Sequence, residues 1–122
     1  MSDDPAIDAG VFANLVEMTG GDHAFVDDLV DTYLDDGHAQ VSALADAASS
    51  GDHPGLVRPA HSLKSSSLNI GALRIGELSR SLEERARSGV VEDAVDRVAA
   101  IATAFEAARR ALLDERGRRA RG

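Results

Sequence analysis

His61 and Lys64 are the residues of this chain best equipped to do chemistry, standing three apart within AHSLKSSSLNIGA, Ala60 to Ala72. On a helix that spacing makes two side chains surface neighbours, able to serve one ligand. The imidazole offers a nucleophilic nitrogen near neutral pH, and an ammonium one turn away can neutralise negative charge that the nitrogen takes up. Lys64 is the sole lysine among 13 basic residues, the rest being arginine. A compact, flexible ammonium is not equivalent to a planar guanidinium, so a lone lysine beside a histidine singles the pair out. Chance in an arginine-rich chain is the alternative.

Other chemistries lack their parts. The chain has no cysteine, which removes disulfides and thiolate metal sites and suits a reducing compartment. His23, His38, His53 and His61 follow one another at 15, 15 and 8 residues, so no two form the i,i+4 ligand pair of a helical metal site. Neither a serine–histidine–carboxylate pocket nor a glycine-rich nucleotide loop is visible. The available parts fit acceptance of a phosphoryl group on Nε2 of His61, with Lys64 neutralising the added oxygens. No metal or cofactor of its own is required, because the donor can bring the Mg2+ and the rest of the active site.

Five helices are expected to hold this pair. Asp8 caps the first, which carries Val11, Phe12, Leu15, Val16 and Met18 inward and ends at Thr19, Gly20 and Gly21. Asp22 caps a second of about 27 residues, irregular at Gly37 and stopped by Ser49, Ser50 and Gly51. Its stripe is Phe25, Val26, Leu29, Val30, Tyr33, Leu34, Val41, Leu44 and Ala48. Asp52 and Pro54 then read as the cap and first turn of a third helix, kinked at Pro59; a start near Pro59 is the alternative. The kinked form is preferred because Leu56, Ala60, Leu63 and Ser67 then make one continuous face. His61, Lys64, Ser65 and Leu68 share the other side, so His61 reaches solvent from an anchored helix.

Asn69, Ile70 and Gly71 supply a tight turn into a fourth helix, Ala72 to about Arg87, with Leu73, Ile75, Leu78, Ser79, Leu82 and Ala86 inward. Ser88 and Gly89 end it. The fifth runs from Val91 to about Arg116 on a stripe of Val95, Val98, Ile101, Ala102, Phe105, Ala108 and Leu112. The fold class predicted is all-α: an antiparallel four-helix bundle with a short additional N-terminal helix packed across it. One domain spans 1–116, and 117–122 form a basic flexible tail, with binding to an anionic surface as its alternative role. Met1 and the loose tail favour a free-standing protein over an excised domain.

A helix hairpin gives one positional inference without coordinates. Residues 61 and 83 each lie eleven positions from 72, so they sit level if the turn centres there. Glu83 can then accept a hydrogen bond from Nδ1–H of His61, fix the tautomer and leave Nε2 facing outward. Arg80 and Arg87, about one turn either side of Glu83, are candidates for the rim of the same site, with ordinary solvated arginines as the alternative.

Charge is distributed unevenly. Residues 1–52 hold twelve acids and no lysine or arginine, residues 53–90 six bases against three acids, and residues 91–122 seven bases against six acids, for a net charge of −8. The histidine stretch is therefore locally basic within an acidic protein and suits an anionic group or acidic partner surface. Nucleic acid is a poor partner, since the basic segment lacks interleaved aromatics and the first half repels phosphates. Asp27, Asp31 and Asp35, spaced four apart, could hold a metal, but such rows are common on solvated helix faces where arginines from neighbouring helices partly neutralise them. The N-terminus lacks the regions of a secretory signal, and no uncharged run exceeds nine residues, short of the roughly 20 needed to span a membrane. A cytoplasmic, monomeric protein without membrane contact is expected.

AHSLKSSSLNIGA, with Leu82-Glu83 downstream, also resembles the histidine phosphotransfer (HPt) domains of bacterial multistep phosphorelays. Shared features are Ala-His, a hydrophobic residue, Lys, small residues and a later Gly-Ala. The resemblance implies that His61 takes phosphate from an aspartyl phosphate of a response-regulator receiver domain, or from a hybrid histidine kinase carrying one, and passes it to another receiver. Lys64 would match the family's lysine, and Glu83 the Gln or Glu that orients the histidine. Such a protein has no ATP-dependent kinase activity of its own. Ser65 departs from the pattern, which often has glycine after the lysine; a small side chain there still admits a receiver loop, with Leu68, Arg80 and Arg87 as further docking residues. A helical interaction module that works without phosphorylation is the competing reading.

Overall fold

The computed structural model describes residues 6–121, with side chains as far as residue 117. It contains five α-helices and one 3-10 turn, and no strand among the described residues. Helix α1 spans Ala9–Met18, α2 His23–Ser50, α3 Val57–Ile70, α4 Leu73–Ser88 and α5 Ala94–Arg121, and the 3-10 turn, Pro54–Leu56, leads into α3. Asp8 caps α1 by accepting the Val11 N–H at 2.9 Å, and Asp22 caps α2 by accepting the Phe25 N–H at 3.1 Å, each relieving one of the unpaired donors at a helix start.

Most buried residues of α2, the 3-10 turn, α3, α4 and α5 keep one rhythm, with Pro59, Gly76 and Glu83 buried beside it. They fall at Val26, Val30, Tyr33 and Gly37; at Leu56, Ala60, Leu63, Ser67 and Ile70; at Ile75, Ser79, Leu82 and Ala86; and at Ala94, Val98, Ile101, Phe105, Ala108 and Leu112. Steps of four and three alternate, the 3.5-residue repeat that keeps a seam of side chains facing partner helices. Each fully buried leucine on such a seam contributes about 1.5–3 kcal/mol by leaving water. Helix α2 packs on α3 and α5, α4 on α3 and α5, and α1 on α2 and α3.

That rhythm corrects several expected inward positions. Val95 is 61% exposed, because the α5 seam begins at Ala94 and Val95 falls beside it. Phe25, one residue before the α2 seam, and Leu73, at the first residue of α4, are exposed for the same reason, and Met18 closes α1 where no helix covers it.

Pro59 produces no kink: it is the third residue of α3, where a backbone N–H would have had no partner within the helix. Gly37 causes no irregularity either. It lies within α2 facing the Phe105 ring, and a Cβ there would overlap ring atoms. Helix α5 starts three residues later than expected and continues past Arg116; the segment expected to be a flexible tail carries helical backbone to Arg121, and its side chains beyond Gly117 lie outside the described residues.

Two polar contacts fix how the elements meet. The Tyr33 hydroxyl and Ser67 Oγ pair at 2.8 Å between α2 and α3. Burial pushes the Tyr33 phenol up to about 12, against a smaller lowering by Ser67, so it stays protonated. At the α3–α4 turn Gly71 adopts φ +96°, and its carbonyl accepts the Asp8 N–H at 2.7 Å. A side chain there would be strained by that φ and would also crowd Asp8 and Val11 of the entering α1.

Candidate functional site

The hairpin of α3 and α4 brings His61 and Glu83 together as the level-pairing argument requires. Nδ1 of His61 is 3.0 Å from Oε2 of Glu83. The imidazole is 54% exposed, whereas the Glu83 side chain is 8% exposed. A carboxylate oxygen accepts, so Nδ1 carries the proton, and in the neutral ring Nε2 is the nitrogen with the free lone pair.

Glu83 gathers two more cations. Lys64 Nζ lies 2.9 Å from Oε1, in an ion pair poorly aligned for a hydrogen bond, since Oε1 has no aligned donor. Arg87, one turn further along α4, donates to Oε2 from Nε at 3.0 Å and from Nη2 at 2.9 Å. Burial alone pushes the Glu83 carboxyl up, but the close contacts of Lys64, Arg87 and His61 together outweigh it and bring the group down to about 2. One carboxylate thus faces two cationic side chains and an exposed imidazole.

The other expected site residues divide. Arg87 reaches the cluster. Arg80 does not: its guanidinium is engaged by Glu77 at 2.7 Å and Glu84 at 3.1 Å on the exposed side of α4. Ser65 is exposed one turn after His61, and Leu68 is half-buried against Gly76 of α4, where any Cβ would overlap it. The expectations had left out Arg58, exposed one turn before His61 on α3; its i−3 spacing from the histidine was the available signal.

The aspartate row of α2 is partly neutralised by α5. Nη2 of Arg116 donates to Asp31 Oδ1 at 2.6 Å and to the Asp27 carbonyl at 2.9 Å. Among the described residues no group of carboxylates and histidines is arranged to hold a metal ion, and no helix is long and apolar enough to cross a membrane.

Comparison with known proteins agrees with this geometry. The Hpt domain family model matches residues 28–111, and the chain belongs to that family, whose function is phosphorelay. Among solved structures it is similar to histidine-containing phosphotransfer protein B (HptB) from Pseudomonas aeruginosa PAO1, with a TM-score of 0.86 and 30% sequence identity over 95% of this chain and 98% of that one. No curated protein matches the chain significantly.

Proposed function

We propose that His61 is the phosphoacceptor and that the protein carries a phosphoryl group between receiver-domain aspartates. The observation that carries this is an exposed imidazole whose Nδ1 is held at 3.0 Å by a buried carboxylate. The Nε2 lone pair attacks the phosphorus of an aspartyl phosphate; the P–O bond breaks and its electron pair leaves with the aspartate. Positive charge developing on the ring is met by Glu83 through the Nδ1 proton, and Lys64 faces the added oxygens. The reverse step returns the group to a second receiver. Mg2+ belongs to the receiver in this scheme, and the protein has no ATP-dependent kinase activity of its own.

Receiver domains, alone or within a hybrid kinase, are the partners, docking over the outer face of α3 at Ser65 and Leu68 with Arg80 and Arg87 at the rim. The helix pairings and the shared seam support an antiparallel four-helix bundle of α2 to α5, with α1 packed across it, acting as a monomer in the cytoplasm. The test is incubation with a radiolabelled phospho-receiver. The labelled product is expected to be acid-labile and alkali-stable and to be absent in His61→Gln; label that persists in that variant counts against His61.

A further inference from the structure

The site contains cations that are already committed and one that is not. Lys64 and Arg87 are tied to Glu83, and Arg80 to Glu77 and Glu84. Arg58, also on α3, is exposed and makes no hydrogen bond or ion pair among the described residues. At about 100° per residue, positions three before and three after His61 flank it at roughly 60° on either side. Lys64 occupies the flank turned to α4, so Arg58 occupies the open one.

Two further facts bear on Arg58. Helical side chains lean toward the N-terminus, so the imidazole of His61 covers the turn that contains Arg58. Arg58 is also the second residue of α3, where the positive end of the helix dipole disfavours a cation, and the carboxylate at that end, Asp52, is engaged by the Gly55 N–H at 3.0 Å. A local electrostatic cost beside the nucleophile is the pattern of a charge kept for an incoming anion.

We propose that Arg58 is a second phosphoryl-facing cation, closing with Lys64 on the oxygens of phosphorylated His61 while Arg87 stays with Glu83. This rests on His61 being the phosphoacceptor. In hydrolysis, water oxygen joins phosphorus, the P–Nε2 bond breaks with its electron pair returning to the imidazole, and inorganic phosphate leaves. The transition state is loose and metaphosphate-like, and passing to it from a dianionic phosphoryl group lowers the total charge on the peripheral oxygens. A guanidinium on those oxygens favours the ground state and lengthens the life of the phosphohistidine.

The experiment measures the half-life of labelled phosphohistidine in the isolated full-length protein, after removal of the receiver, for the natural sequence, Arg58→Gln and Arg58→Lys, alongside thermal melting. Arg58→Gln is expected to shorten the half-life about three- to tenfold with a melting temperature unchanged or slightly raised, and Arg58→Lys to restore most of the half-life. An unchanged half-life in Arg58→Gln overturns the proposal, including the case in which only the transfer rate falls, because Arg58 then acts on the receiver. Equal shortening in both variants with a lowered melting temperature also overturns it, as a structural effect. Label surviving His61→Gln is a separate result that removes the phosphoacceptor reading itself.

Discussion

Two arginine–carboxylate clusters among the described residues tie one helix to another, and they differ in burial and in which charge is in excess. Around Glu83, one carboxylate that is 8% exposed serves Lys64, Arg87 and His61. Around Arg116, one guanidinium serves Asp27 and Asp31, whose side chains are 41% and 58% exposed. Water can take over from Arg116 at either aspartate, so that cluster ties α5 to α2 only weakly. Water cannot reach Glu83 so easily; its partners hold it charged, and it lies 3.0 Å from Nδ1 of His61. The same residue types make a surface clasp in one place and a chemical site in the other.

The largest effect is expected at Glu83. Glu83→Ala is expected to lower phosphotransfer about 10–100-fold, because the imidazole loses the acceptor that aims it, as read by single-turnover transfer from a phospho-receiver. Glu83→Gln separates aim from charge: the amide oxygen still accepts from Nδ1–H, so most transfer survives. What it removes is an acid-sensitive contribution to stability. The folded carboxyl sits at about 2, below its ordinary 4.5, so its stabilising effect is fully present above about pH 4.5 and is lost as the pH falls toward 2. Melting curves across that window should be steeper with pH in the natural protein than in Glu83→Gln, and parallel curves would refute the charged, buried reading.

A smaller effect is expected at the surface clasp. Arg116→Ala should cost about 0–1 kcal/mol at low ionic strength, and the difference should shrink in high salt; urea titrations at two salt concentrations measure it. Smallest is Ser79→Ala on α4. The Ser79 hydroxyl is fully buried with no hydrogen-bond partner, so its removal should leave stability unchanged or raise it by about 0.5–1 kcal/mol, in contrast to the buried carboxylate, which faces Lys64, Arg87 and His61. A clear loss of stability in denaturant titration would mean that this hydroxyl is satisfied in solution.

The sequence showed the helices better than it showed their faces. Caps at Asp8 and Asp22 and stops at Gly51 and Gly71 are local, and each lies where its residue type predicts. Facing depends on which neighbours cover a helix, so Val95 and Phe25 look as apolar as Ala94 and Val26 yet fall beside the seam. Gly37 read as a weak point because the Phe105 ring that fills its place is 68 residues away in the chain. In the site, the His61–Glu83 pairing was legible because a two-residue turn leaves little freedom of register. Arg80 and Arg87 were not distinguishable, as both stand about one turn from Glu83; what separates them is that Glu77 and Glu84 flank Arg80 along α4.

The bond from the Asp8 amide to the Gly71 carbonyl has a consequence for how the molecule opens. It anchors α1 at the turn that levels His61 with Glu83, while α1 buries only Phe12 fully. A short helix with so little apolar anchorage detaches at lower free energy than the long helices unfold. Its seating is then reported by a single proton: exchange of the Asp8 amide with solvent times the coming and going of α1, and any receiver that presses on the α3–α4 turn will change that rate before it changes the fold.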